Sequence, residues 1–157
     1  LQCVVIEFMK NDCGVKDDNS DEFGETDNPV IHFVEGQESI KKKSGTMRLG
    51  SYDCVLEKDT LAHQLYKKRA ITERHRHRYE VNENYVSAMA EKNFIVSGRH
   101  PQSGLVEIME LKDHPYFIGT QAHPEFKSVF GDPAALFNGL VKAAILHASQ
   151  SQVNPKE

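Results

Sequence analysis

Short apolar runs alternate with polar and charged stretches along the chain, and the spacing inside each run predicts the elements. Residues 1–10 read as a helix already under way, with no capping residue and no lead-in. Val4, Val5 and Phe8 lie on neighbouring faces with Cys3 beside them, which predicts a well-buried helix with the Cys3 thiol in the core. A buried helix that opens at residue 1 predicts preceding chain, so the sequence is read as a fragment. Residues 11–28 are polar and acidic, with breaks at Gly14 and Gly24, and predict a loop. Residues 29–34 are rich in β-branched side chains and predict a strand. Residues 35–44 are charged and carry Lys41, Lys42 and Lys43, the mark of a solvated loop rather than a phosphate site. Residues 51–56 alternate as a strand, and residues 60–68 follow a short helical pattern.

The second half continues in the same way. Residues 71–81 keep a period of two, and residues 82–91 predict a short helix. Residues 94–97 and 105–111 form a hairpin around 98–104. Residues 115–118 form a buried strand that ends near His123, because Pro124 cannot continue a ladder. Asp132 caps a last helix with Pro133 at its first position. Leu136, Phe137, Leu140, Val141, Ala144 and Ile145 recur there at helical spacing and are expected to face a core. The sum is one α/β domain over residues 1–150, of flavodoxin-like, doubly wound type with a mixed sheet, followed by a polar tail over 151–157.

Composition narrows the function. A chain of 157 residues can build one core, and its formal net charge of −4 gives no case for a nucleic-acid or membrane surface. No apolar run approaches the length of a membrane span. Cys3, Cys13 and Cys54 are an odd set without CxxC spacing, which fits a reducing, cytoplasmic setting.

Three stretches carry candidate chemistry. Gly119-Thr-Gln-Ala-His-Pro-Glu-Phe126 places His123 and Glu125 at the carboxyl end of a strand, where open α/β sheets bind ligands. A general base needs a partner that fixes its tautomer, and this pair supplies both parts; the alternative is a surface turn. In residues 71–81 the alternation turns Arg74, Arg76 and Arg78 one way and His75, His77 and Tyr79 the other. That face is a carboxylate clamp or a charged edge strand. It is a poor metal site, because no third ligand follows at ligand spacing. In Gly45-Thr-Met-Arg-Leu-Gly50 the paired glycines imply a constrained backbone or a moving lid.

Together these stretches resemble a known family. Gly45-Thr-Met-Arg-Leu-Gly50, Glu73-Arg-His-Arg-His-Arg-Tyr-Glu-Val-Asn82 and Gln121-Ala-His-Pro-Glu-Phe126 are similar to blocks of the glutaminase domain of CTP synthases. Asn19-Ser-Asp-Glu-Phe23 and Leu1-Gln2 match as well. The His-Pro-Glu element alone indicates a class I glutamine amidotransferase; the other blocks are more specific. The resemblance implies an open, mostly parallel sheet flanked by helices, truncated at its amino terminus. It implies glutamine hydrolysis through a Cys-His-Glu triad, with ammonia passed to an amino-terminal synthetase domain that makes CTP from UTP with Mg-ATP. By the same resemblance His123 and Glu125 are the base and its orienting acid, and Gln2, Glu22 and Arg78 grip L-glutamine with Leu1 lining the site. Arg48 lies in the block that matches a lid in the response to GTP, the allosteric effector.

The departures from the family pattern matter equally. The family's nucleophilic Cys would lie three positions before Leu1, and the chain as given does not contain it. Ala122 stands where a bulky aromatic is expected. The expected fragment is therefore inactive alone and monomeric, within a parent that assembles as a homotetramer. It needs no cofactor and no metal of its own. Two readings stay open beside it, a catalytically silent module of the same fold and another class I amidotransferase.

Overall fold

The computed structural model describes residues 1–33 and 47–153. The lysine run at 41–43 and the first two residues of the Gly45–Gly50 block lie outside them. Helix α1 (Gln2–Asn11) buries Val5, Phe8 and Met9, the i, i+3, i+4 stripe of one face. The Phe8 ring packs 4.8 Å from that of Phe94. Cys3 is exposed instead of buried. It lies about 200° around the helix from Val5, so the burial of one turns the other outward.

Two sheets follow. Strands β1 (Asp18–Ser20), β2 (Asn28–Phe33) and β5 (Tyr79–Val81) form one in the order β1-β2-β5. Strands β3 (Arg48–Leu56), β4 (Ala70–His77), β6 (Phe94–Arg99), β7 (Val106–Leu111) and β8 (Ile118–Thr120) form the other, in the order β4-β3-β6-β7-β8. The helices are α2 (Leu61–Tyr66), α3 (Val86–Glu91) and α4 (Ala135–Val153). The α/β class is as expected, and the sheets are mixed. Among the described residues β1 and β2 pair in parallel, and every pairing of the larger sheet is antiparallel. β6, β7 and β8 follow one another through short connections, as antiparallel neighbours do, while β3 and β4 are joined through α2.

The larger sheet curls until its two edges meet. β4 and β8 stand at opposite ends of the strand order, yet an isolated bridge joins His75 to Ala122, and His123 N–H donates to Arg74 O at 2.8 Å. Interior strand β7 is buried on both faces, and its two glutamates find partners inside. Glu110 accepts from Leu61 N at 2.6 Å and Ala62 N at 2.9 Å, anchoring the start of α2, where Thr60 is the N-cap. Gly98 permits the closest approach in this core: a Cβ there would lie 2.7 Å from Cys54 Sγ and 3.2 Å from Ile108 Cβ.

Three expectations shift. The strand expected at 115–118 lies at Ile118–Thr120, paired with β7. Asp132 does not cap the last helix: it exchanges two backbone hydrogen bonds with Val129, and α4 starts at Ala135 after Ser128 Oγ accepts from Ala134 N. The apolar positions of α4 do not all face a core. Leu136 is buried, whereas Phe137, Leu140, Val141 and Ile145 are exposed. The amino-terminal turns are seated by Tyr116 OH, which donates to Leu136 O, and by Gly139 against Leu65 and Tyr116. Beyond them the helix stands away from the body that the described residues form.

Candidate functional site

The site lies where three pieces of chain meet: the start of α1, the corner between β4 and β5, and the segment that leaves β8. Each is held by local rules. β4 runs in the larger sheet and β5 in the smaller, so the chain changes sheets at Arg78. Its alternation is kept, with Ile71, Glu73 and His75 buried and Arg74 and Arg76 exposed along the edge. Gly119 lets β8 approach α1 closely: a Cβ on it would lie 3.3 Å from Leu1 Cα and 3.2 Å from Leu1 Cδ1.

A cavity of about 600 Å³ opens at this junction. Leu1, Gln2, Glu22, Arg78 and His123, all singled out in the sequence, line it together. Glu125 stands behind His123, with Oε1 2.6 Å from Nδ1. That contact holds the Glu125 carboxyl below its ordinary pKa, so it is a carboxylate and only accepts. Nδ1 of His123 therefore carries the proton, and Nε2 is left as the basic nitrogen. Phe126 packs its ring 5.4 Å from the imidazole, a support that the sequence did not reveal. It braces His123 on one side. Cys3 also borders the cavity.

The sequence missed a second layer. Gln121, Tyr79 and His77 line the same cavity. The Tyr79 carbonyl accepts from Gln2 Nε2 at 2.9 Å, from Gln121 Nε2 at 3.2 Å and from His77 Nδ1 at 3.2 Å. With Nδ1 of His77 donating, its Nε2 must accept, and His75 Nδ1 lies 2.9 Å away as the donor. Burial, followed by the charge of Arg48, lowers His75 to about 3 and His77 to about 4, so both rings are neutral near pH 7. The period-two pattern was the available signal for His75 and His77, since it already separated them from the arginines.

Below this layer lies a buried ion network. Arg48 donates to Glu107 at 2.7 Å and to Glu80 at 3.2 Å, with its guanidinium carbon 4.4 Å from the Tyr52 ring centroid. Arg48 is 7 % exposed, and Glu80 and Glu107 are 1 % exposed each. Arg48 is the first residue of β3, paired with His77, and its side chain lies in the interior. Burial pushes Glu80 up to about 7 and raises Glu107, outweighing the Arg48 guanidinium, which by itself lowers both. His75, His77 and Glu107 bring three possible ligand atoms within 4.8 Å of one another, so the fold supplies the third donor that the spacing lacked. The imidazole–imidazole bond and Arg48 already engage this cluster, and no metal is assigned to it. Among the described residues no helix is long and apolar enough to cross a membrane.

Comparison with known proteins places this geometry in context. The family model for class I glutamine amidotransferases matches residues 1–143. The chain is 50% identical over 145 residues to the CTP synthase of Cytophaga hutchinsonii, covering 92% of this chain and 27% of that protein. It is 49% identical over 158 residues to the CTP synthase of Rippkaea orientalis, covering 100% of this chain and 29% of that protein. The chain thus spans less than a third of the length of these relatives. Among solved structures it is similar to the glutaminase domain of the Trypanosoma brucei CTPS with bound acivicin, at a TM-score of 0.82 and 33% identity, over 91% of this chain and 56% of that one. With the family matched along most of its length, the chain belongs to the class I glutamine amidotransferases.

Proposed function

We propose that the chain is the carboxyl-terminal part of the glutaminase domain of a CTP synthase and takes part in releasing ammonia from L-glutamine. The observation that carries the reading is the convergence of Leu1, Gln2, Glu22, Arg78 and His123 on one cavity, with Glu125 behind the imidazole. The chemistry assigns the roles. Nε2 of His123 takes the proton of the attacking thiol and returns it to the leaving ammonia. Glu125 holds the tautomer and stabilises the imidazolium. Glu22 has the charge to meet the ammonium of glutamine, and Arg78 the charge to meet its carboxylate.

The nucleophile of this reading is a Cys supplied from upstream of Leu1. Cys13 and Cys54 do not line the cavity, and Cys3 follows Gln2 on α1, past the position where the family's nucleophile would lie. The chain of 157 residues is inactive by itself, since a base and its orienting acid have no thiol to deprotonate. In the parent protein the ammonia serves ATP-dependent amination of UTP in a synthetase domain, with GTP as effector. His123→Ala in the full-length protein tests the assignment. Glutamine-dependent CTP formation should fall at least about 10²-fold, the ordinary worth of a general base. Formation from added ammonia should persist. Loss of both together would assign His123 a structural role.

A further inference from the structure

We propose that Gln121, held by Glu80, is the positioning residue that orients the Gln2 carboxamide, so that Gln2 presents its oxygen to the cavity and accepts an N–H of the bound ligand. This rests on the glutaminase reading of the cavity. The argument follows hydrogen-bond polarity inward from the cavity. Gln121 is 5 % exposed, and its Nε2 lies 3.0 Å from Glu80 Oε2 and 3.2 Å from Tyr79 O. Tyr79 O only accepts, so a turned amide faces oxygen to oxygen there, and also at Glu80 whenever that group is a carboxylate. Its Oε1 therefore faces Gln2, whose Nε2 lies 3.2 Å away and also 2.9 Å from Tyr79 O. Both N–H groups of Gln2 are thereby engaged, and a flipped Gln2 would again set oxygen against oxygen. Gln2 Oε1 accepts from no group among the described residues, and Gln2 lines the cavity.

Glu80 is itself fixed by Arg48, which bonds its other oxygen at 3.2 Å. The buried ion network thus sets the polarity of one wall of the cavity at two removes. Glutamine carries two kinds of N–H donor, the ammonium and the side-chain amide, whereas glutamate carries the ammonium alone. A wall that only accepts favours such a ligand over one that offers oxygen at the same place.

The test is made in the full-length protein with steady-state kinetics in glutamine. Gln121→Met removes the amide while leaving the Arg48–Glu80 pair in place. The KM for glutamine should rise about three- to tenfold, the worth of one neutral hydrogen bond, with kcat changed less. The split between KM and kcat is the readout, because Gln121 stands behind Gln2 and acts on binding through it. A merely structural role would lower kcat and stability together and would not single out KM. Competition by glutamate separates the two donors: if the ammonium meets Gln2, glutamate weakens in parallel in Gln121→Met, and if the amide does, glutamate is unaffected. A Gln121→Met protein with wild-type KM overturns the proposal. So does a loss confined to kcat while the circular dichroism spectrum of the variant is native. A wild-type protein without glutamine-dependent activity overturns the glutaminase reading and this inference with it, a result distinct from the other two.

Discussion

Replacing Arg48 by Met should unfold this protein more easily at pH 8 than at pH 5, and the size of the effect follows from the network around it. The substitution keeps an unbranched, apolar chain in the space between β3 and β7 and removes only the guanidinium. It deletes the bonds to Glu107 at 2.7 Å and to Glu80 at 3.2 Å. Glu80 keeps Gln121 as a donor, and Glu107 keeps no close one, since its second oxygen already lacks a partner at hydrogen-bond distance. Stranding buried carboxylates in this way costs about 3–5 kcal/mol.

The sign of the pH dependence is fixed by the direction of the shifts. In the wild type Glu80 rises from 4.5 to about 7, chiefly through burial. Between those values the folded state binds more protons than the unfolded one, so stability falls as pH rises and is lowest above about 7. A gap of that size is on the order of 3 kcal/mol. Arg48 lowers both glutamates against the effect of burial, so its removal lifts them further and extends the falling limb above pH 7. At pH 5 both carboxyls in the variant are protonated, and its penalty should drop below about half of the pH 8 value. Urea unfolding followed by circular dichroism at the two pH values gives the comparison. Equal penalties at pH 5 and pH 8, or a wild-type midpoint at pH 8, would refute the charge argument.

Other outcomes follow from single contacts. Gly119→Ala places a methyl 3.3 Å from Leu1 Cα; it should raise the KM for glutamine in the full-length protein by displacing the start of α1, and an unchanged KM would show that the backbone yields freely. Glu110→Ala strands the first N–H groups of α2 and should lower stability by about 1–3 kcal/mol in chemical denaturation. Glu125→Gln should cut glutamine-dependent turnover while moving stability by less than about 1 kcal/mol. The His123–Glu125 pair is partly exposed, so a large shift in the melting curve would mean that Glu125 holds the fold.

Much of this molecule was legible because period and turn chemistry are local. The alternation in residues 71–81 set His75 and Arg74 on opposite faces, and β4 turns the first inward and the second outward. Thr60 opens α2, and the hairpin of β6 and β7 lies where the apolar runs put it. The candidate pair His123 and Glu125 was readable from spacing two residues apart. What was not legible depends on partners far away in sequence. The interior place of the Arg48 side chain depends on Glu80 and Glu107, 32 and 59 residues on. Gln121 sits inside the recognised His-Pro-Glu block, but its task depends on Glu80 and Gln2, which no periodicity connects to it. The α4 stripe shows the opposite failure. Apolar spacing predicts a buried face, yet burial also requires a neighbour, and among the described residues α4 finds one only near its start.

The carbonyl of Tyr79 has an implication for how this site would be mapped. It collects Gln2, Gln121 and His77, and it belongs to the main chain. Alanine scanning would therefore pass over it, since every residue at position 79 carries the same oxygen. A change of side chain there would act through the packing of the Tyr79 ring on Phe33 and leave the carbonyl in place. Only a change to the backbone reaches it. An ester in place of the amide between Tyr79 and Glu80 weakens that oxygen as an acceptor and leaves every side chain in place, and it should loosen all three donors at once.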